Sequence, residues 1–337
     1  MHIRQNVSLK PYNTFGIDVP ASHFLEIRSI ETLREALGRK DLPAPFVLSG
    51  GSNILLTAPL DALVLYINLR GRDILREDAG EVIIRAMAGE NWHELVMWTL
   101  QQGLGGIENL ALIPGKAGTA PIQNIGAYGV ELRDVFEACT AMDMETGALQ
   151  RFDREQCHFG YRDSFFKRSG KGRFIIVSLE LRLTKNNHRR STAYGAIESE
   201  LKARGVSDPS PEDIAEVVID IRRRKLPDPS QLGNSGSFFK NPVIPASLFE
   251  KLRDRRPDIP GYPQADHTVK VPAGWLIEQC GLKGYRSGDA GVHKKQALVL
   301  VNYGTARGED LLRLARYIQK KVKGEFSIDL QPEVNII

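Results

Sequence analysis

Glu108-Asn109-Leu110-Ala111-Leu112-Ile113-Pro114-Gly115-Lys116-Ala117-Gly118-Thr119-Ala120-Pro121-Ile122-Gln123-Asn124-Ile125-Gly126-Ala127-Tyr128-Gly129 is the stretch that decides the fold. Glycines, small residues, amides and prolines alternate here, with little side-chain volume to fill a core. Glycine admits positive φ and lets a ligand approach main-chain N–H groups closely. Successive N–H groups of that kind form a nest for an anion such as a pyrophosphate. A shorter companion, Ser49-Gly50-Gly51-Ser52-Asn53, follows the strand-like Phe46-Val47-Leu48 directly. An isolated glycine most often serves an ordinary turn, but turns alone do not explain a run of this length. A rigid wall almost free of side chains is what a large flat cofactor needs. Neither segment is a GxGxxG fingerprint or a GxxxxGK[ST] loop, so a Rossmann site and a P-loop both lack their signature.

The flanking sequence alternates short strands and helices. Ala62–Asn68 and Glu81–Ala88 are β-rich runs of strand length. Asn91 and Glu94 have capping-box spacing at a helix whose Trp92, Leu95, Val96 and Leu100 share a face, with Gly103 as its stop. Cys139–Phe152 reads as a hairpin turning near Thr146-Gly147. Ile175, Val177, Leu179, Leu181 and Leu183 alternate, the pattern of one half-buried strand face. Ser210-Pro211-Glu212-Asp213 starts a helix with N-cap, N1 proline and acidic first turn. Its stripe is Ile214, Val217, Val218 and Ile221, and Leu226-Pro227-Asp228-Pro229 ends it. Further helices are expected at Ala273–Cys280 and at Asp310–Lys323, and a β-rich tail from Phe326 to Ile337. The polar Lys185–Arg190 and the proline-bearing Ser207–Pro211 set a domain boundary near residue 205.

With 337 residues, two or three domains are expected. The apolar fraction of 42% supports packed cores. No run approaches the ~18 apolar residues of a membrane span, and Met1–Lys10 has no signal-peptide core, so a cytoplasmic protein is expected. Cys139, Cys157 and Cys280 are odd in number and lack CxxC spacing, and the seven histidines show no HxxxH or HExxH. Neither a disulfide framework nor a metal site is expected. The net charge of +4 lies in short clusters such as Arg222-Arg223-Arg224-Lys225. The plain reading of that cluster is a solvated helix end. Nucleic-acid binding would require a longer basic stripe and a module.

Ser49–Asn53, Ile113-Pro114-Gly115, Pro121–Gly129, Phe159-Gly160-Tyr161-Arg162-Asp163-Ser164, Gly236-Ser237-Phe238-Phe239-Lys240-Asn241-Pro242 and Pro332-Glu333-Val334 occur in that order. Together they resemble the UDP-N-acetylenolpyruvoylglucosamine reductase family, from Asn13-Thr14-Phe15-Gly16 to Glu333. The resemblance implies an α+β fold. A vanillyl-alcohol-oxidase-type FAD-binding region would span 1–205, as subdomains of about 1–68 and 69–205. An α/β substrate-binding domain would span 206–325 and close over the flavin, and a strand carrying Glu333 would span 326–337. Ser52 stands where some relatives attach flavin through a histidine, which implies non-covalent FAD. Thr192-Ala193-Tyr194-Gly195 resembles the tyrosine segment of the family's long form.

By the same resemblance, Ser237 would donate a proton, Arg162 would stabilise charge on the substrate carboxylate, and Glu333 would act on that carboxylate region. Tyr194, Lys225, Asn241, Tyr262, Lys270 and Gln296 would contact a UDP-sugar. Flavin contacts would come from Gly50, Gly51, Ser52 and Asn53, from Asn109, Ile113, Pro114, Gly115, Ala117 and Gly118, from Pro121, Ile122, Asn124, Gly126, Ala127, Tyr128 and Gly129, and from Ile176. Ala117 departs from the valine common in the family. NADPH would share one cleft with the sugar, in a monomer. The rivals are an FAD oxidase or dehydrogenase of the same superfamily, and a non-catalytic flavin-binding sensor. The first has no reason to keep Gly236–Pro242 together with Pro332-Glu333-Val334, and the second should have lost Arg162, Ser237 or Glu333.

Overall fold

The computed structural model describes residues 1–194, 196–264 and 266–337. The chain divides into two compact units, neither contiguous in sequence. The first comprises Met1–Val7, Ala21–Gly50 and Asp61–Arg224; the second comprises Ser8–Pro20, Gly51–Leu60 and Lys225–Ile337.

In the first unit a sheet runs Leu149–Asp153, Phe136–Asp143, Phe174–Thr184, Glu81–Met87, Arg72–Glu77, each strand antiparallel to the next. A second sheet orders Arg4–Ser8, Pro20–Ile27, Leu60–Ile67 and Pro45–Leu48, the last two parallel. Leu25, Ile27, Leu63, Leu65 and Ile67 of this second sheet form one core with Met142, Ile175 and Val177 of the first. A larger core on the other face takes Trp92, Leu95 and Val96 from the helix Trp92–Gln101. That helix begins as expected, with the Asn91 side chain accepting from the Glu94 N–H at 3.0 Å. The Trp92 indole N–H donates to the Leu110 carbonyl at 3.0 Å, fixing the start of the glycine-rich stretch.

The strand Phe174–Thr184 departs from the expected alternation. Thr140 pairs with Ser178 but Ala141 pairs with Ile176, so Val177 is an extra residue in the ladder. Such a bulge reverses which face each later side chain meets. Ile175 and Val177 therefore enter one core, while Leu179, Leu181 and Leu183 enter the other with Ile176. The five apolar residues serve two cores.

The helix Pro211–Lys225 is capped by Ser210, whose hydroxyl accepts from the Asp213 N–H. Its Ile214, Val217, Val218 and Ile221 join the larger core of the first unit. Apolar burial thus carries the unit past the boundary expected at 205.

The second unit has a sheet ordered Gly233–Ser237, Val299–Asn302, Ala290–Val292, Arg286–Ser287. Leu311, Leu314, Ala315, Ile318 and Val322 of the helix Gly308–Phe326 are buried, at spacings that place them on one face. That helix takes in Phe326, and Ser327 closes it in the left-handed region. The tail is accordingly less β-rich than expected: Asn335–Ile336 pairs in parallel with Ile54–Leu55, and Pro332 makes one isolated bridge to Phe239. The early segments are tied in by hydrogen bonds from Asn234 N–H to the Thr14 carbonyl and from the Asn302 amide to the Phe15 carbonyl. Among the described residues, no helix is long and apolar enough to cross a membrane.

Candidate active site

The glycine-rich stretch folds as short 3-10 turns, Glu108–Leu110, Ala117–Thr119 and Pro121–Gln123, then a tight antiparallel pair of Gly126–Ala127 with Val130–Glu131. Left-handed backbone recurs along it, at Gly115 (φ 118°), Asn124 (45°), Tyr128 (50°) and Gly129 (80°). Two glycines are fixed by close approach rather than by φ. A Cβ on Gly118 would lie 2.5 Å from the Ala88 Cβ, and one on Gly50 would lie 2.9 Å from the Gly115 Cα. Gly118 is held by its own N–H on the Ala88 carbonyl at 3.0 Å, and Ala88 in turn donates to the bulged Val177 at 2.9 Å. The bulge thus anchors the loop.

Two buried polar atoms beside this wall have no hydrogen-bond partner, the Ser49 hydroxyl and the Asn109 carbonyl oxygen. Buried polar groups are nearly always satisfied. Orphaned atoms on a side-chain-poor wall fit a bound polar cofactor such as FAD. The Asn109 amide is engaged with the carbonyls of Tyr128 and Ser191, at 3.0 and 2.7 Å. Asn124 is fully buried. Its amide meets Glu131 and the Gly160 carbonyl, and its oxygen accepts from the Arg133 N–H, so the side chain is engaged within the fold. Ile176 is buried in the larger core. Ile113, Ile122, Ala127 and Tyr128 pack against the same core from the loop, while Ala117 lies within it. Pro121 is buried and Pro114 is exposed.

The chain leaves the first unit inside the short glycine turn, between Gly50 and Gly51. Gly51 has φ 59°, and a Cβ there would lie 2.0 Å from the Tyr12 carbonyl oxygen. Ser52 is half-buried. Asn53 donates from its amide to the Glu333 carbonyl at 3.3 Å, and its own carbonyl accepts from the Asn335 backbone and amide.

Two of the three expected catalytic residues, Ser237 and Glu333, lie in the second unit. Ser237 ends the strand Gly233–Ser237 opposite Val299. Glu333 N–H donates to the carbonyl of Phe238, the residue after Ser237, at 2.8 Å, and Lys240 N–H donates to Gln331 at 2.9 Å. The motifs Gly236–Pro242 and Pro332–Val334 therefore form one short ladder. Arg162 belongs to the first unit. It holds φ 54°, a conformation that costs about 1 kcal/mol or more for a residue other than glycine and marks positions that structure over-determines. Its guanidinium donates to the Gly126 carbonyl at 2.8 Å. Asp163, its neighbour, pairs with Arg168 instead.

The expected substrate contacts fall into groups. Tyr262 and Lys270 are direct cross-strand partners, so their side chains stand on one sheet face. Asn241 accepts from the Ala273 N–H at 3.0 Å. A Cβ on neighbouring Gly274 would lie 3.1 Å from the Gln296 side-chain oxygen. Asn241 and Gln296 thus converge on the start of the helix Ala273–Gln279. Lys225 is exposed at the end of its helix. Tyr194 is 62% exposed, with its Cβ 3.3 Å from where a Gly129 Cβ would lie. Gly195 lies outside the described residues.

No sequence motif gives Lys116 a role. Its ammonium donates to the Ile67 carbonyl at 2.8 Å and sits 4.0 Å over the Tyr66 ring. Burial, aided by the Arg70 charge and opposed by Glu26, lowers its pKa from 10.5 to about 8. Below pH 8 both folded and unfolded chains hold the proton, and the burial penalty is full. Between pH 8 and 10.5 the unfolded chain binds more protons, so stability rises with pH. Urea unfolding should therefore show the wild type gaining about 1–3 kcal/mol on Lys116→Met from pH 7.5 to 10. Parallel pH dependences in the two proteins would exclude the shift.

The comparisons with known proteins agree with this geometry. Residues 23–153 match the family model for an FAD binding domain, and residues 228–337 match that for the C-terminal domain of UDP-N-acetylenolpyruvoylglucosamine reductase. A protein of that name from Flavobacterium johnsoniae is 50% identical over 337 residues, covering 100% of both chains. One from Pseudomonas putida is 51% identical over 336 residues, covering 99% of this chain and 98% of its own. The crystal structure of the Thermus caldophilus reductase aligns with a TM-score of 0.69 at 27% identity, covering 100% of this chain and 99% of that one. With an FAD-binding domain, the matching C-terminal domain and half its residues shared along the full length of such relatives, the chain belongs to the UDP-N-acetylenolpyruvoylglucosamine reductase family.

Proposed function

We propose that the chain reduces the enolpyruvyl group of UDP-N-acetylglucosamine enolpyruvate to UDP-N-acetylmuramate, with NADPH as donor, in cytoplasmic peptidoglycan precursor synthesis. The observation that carries this is the full-length identity to reductases of that name. The ladder that joins the Ser237 and Glu333 motifs supports it.

Gly50, Gly115, Gly118, Ser49 and Asn109 would hold the FAD non-covalently, Ser52 standing where a histidine linkage would need its imidazole. When bound, FAD supplies the hydride. The chain supplies everything else. Reduction of the double bond adds a hydride at one carbon and a proton at the other, with negative charge shared by the adjacent carboxylate. Ser237 donates the proton from its hydroxyl and regains one from solvent. Arg162 presents a planar fork of donors to the carboxylate, and a cation held there stabilises the charge as it grows. Glu333 orients the same region. Lys225 and Lys270 neutralise the pyrophosphate, and Tyr194, Asn241, Tyr262 and Gln296 fix the sugar and base.

NADPH and the sugar occupy one cleft of a monomer in turn. Double-reciprocal plots should give parallel lines with inhibition by excess sugar; intersecting lines would sink the shared cleft. The decisive test is spectroscopic. The purified protein should be yellow, bleach on anaerobic addition of NADPH, and regain its flavin absorbance with the enolpyruvyl sugar. A colourless protein, or a bleached flavin that the sugar does not reoxidise, would overturn the assignment.

A further inference from the structure

Arg222 lies three residues before the last residue of the helix Pro211–Lys225. In sequence it belongs to a basic run that resembles a solvated helix end. In the structure it differs from Arg223 and Arg224, which are exposed. It follows Val218 by four positions and Ile221 by one, so it sits at the edge of the buried stripe. That spacing was the signal available in the sequence. The Arg222 Nε is sealed from solvent and has no hydrogen-bond partner.

The groups acting on it belong to the first unit. Burial lowers its pKa most, the Arg162 charge acts in the same direction, and Tyr128 opposes them. Tyr128 is in turn raised by burial and lowered by Arg222. Arg162 is held on the Gly126 carbonyl, two residues from Tyr128. Two guanidiniums therefore lie within mutual electrostatic range beside the Gly126–Gly129 turn. Like charges in a poorly solvated place repel, and a buried donor without a partner is costly. A fold that needed only packing there would do better with Met or Leu. Such costs persist where a ligand relieves them.

We propose that Arg222 and Arg162 form a two-arginine seat for the carboxylate of the substrate. This rests on the activity proposed above. Arg162 engages one edge of the carboxylate while the free Nε edge of Arg222 meets the other, a planar match that a lysine cannot make. Arg222 thereby helps choose a three-carbon acid ether over the same nucleotide sugar without it.

The test uses the flavin-loaded enzyme and its Arg222→Gln and Arg222→Lys variants. Flavin spectral shifts report binding of UDP-N-acetylmuramate, which has the carboxylate, and UDP-N-acetylglucosamine, which lacks it. The wild type should prefer the former, and both variants should lose at least about tenfold of that preference with binding of the latter unchanged. The flavin midpoint potential should stay at the wild-type value. Unchanged preference in a variant that retains its flavin overturns the seat. So does an equal loss for both ligands, or a shifted potential with preference intact, which would place Arg222 against the cofactor. A wild-type enzyme that binds neither nucleotide sugar would instead remove the activity on which the seat rests.

Discussion

Ser237→Ala is expected to leave NADPH bleaching of the flavin at the wild-type rate and to slow reoxidation by the enolpyruvyl sugar by about 10²–10⁴-fold, the usual contribution of a positioned proton donor. The substitution removes a single oxygen. Ser237 is half-buried at the end of a strand whose ladder to Val299 is made by backbone groups, so the fold loses little. Anaerobic stopped-flow spectroscopy separates the two half-reactions. Only the second needs a proton at carbon. Equal slowing of both would contradict the donor role, and so would no slowing at all. Glu333→Gln supplies a second arm. Glu333 follows Phe238 across one hydrogen bond, so residues acting as a unit should give a double variant little worse than the slower single one.

Gly118→Ala should have the second large effect, on cofactor retention. Its Cβ would fall 2.5 Å from the Ala88 Cβ and 3.0 Å from the Ala88 Cα, and real contacts of this kind do not occur. Neither partner can rotate away. Gly118 is fixed by its N–H on Ala88, and Ala88 by its N–H on Val177. The loop must therefore move as backbone. A destabilisation of about 2–4 kcal/mol is expected from overpacking that no rotamer relieves. The purified variant should have well under half the flavin absorbance per chain of the wild type. Gly38→Ala is the control, since nothing lies within 4 Å of its Cβ. If the two variants keep flavin equally well, close packing at Gly118 is not what shapes the wall.

The stretch 108–129 was legible because it carries its meaning in composition. Glycines and prolines restrict backbone in ways that need no distant partner. The same holds for the helices opened by Asn91 and Ser210, where cap and stripe are local. What failed to be legible depended on partners far along the chain. The alternation from Ile175 to Leu183 predicts one face, and the bulge at Val177 becomes visible only against the register of Phe136–Asp143. The helix Ala246–Arg255 buries Phe249 and Leu252, too short a stripe to separate from a loop by pattern. Phe326 is helical because it meets the Trp275 ring, a contact across 51 positions. Of the site, the motifs located Ser237 and Glu333 but not the ladder that joins them. Arg222 is hidden because its basic neighbours Arg223, Arg224 and Lys225 mask its four-residue spacing from Val218.

The interrupted make-up of the second unit also bears on how the chain is born. Residues 8–20 and 51–60 leave the ribosome early, yet Asn234, Asn302, Asn335 and Ile337, which hold them, are made last. At ~5–20 residues per second, the second of these segments waits roughly 15–60 s for its partners. Throughout that time the buried Phe15, Ile17, Leu55 and Leu56 have no native cover from the residues after 225. Synthesis therefore exposes a sticky interval to chaperones and proteases. No single cut in the gene separates one unit from the other, because neither is encoded in one piece.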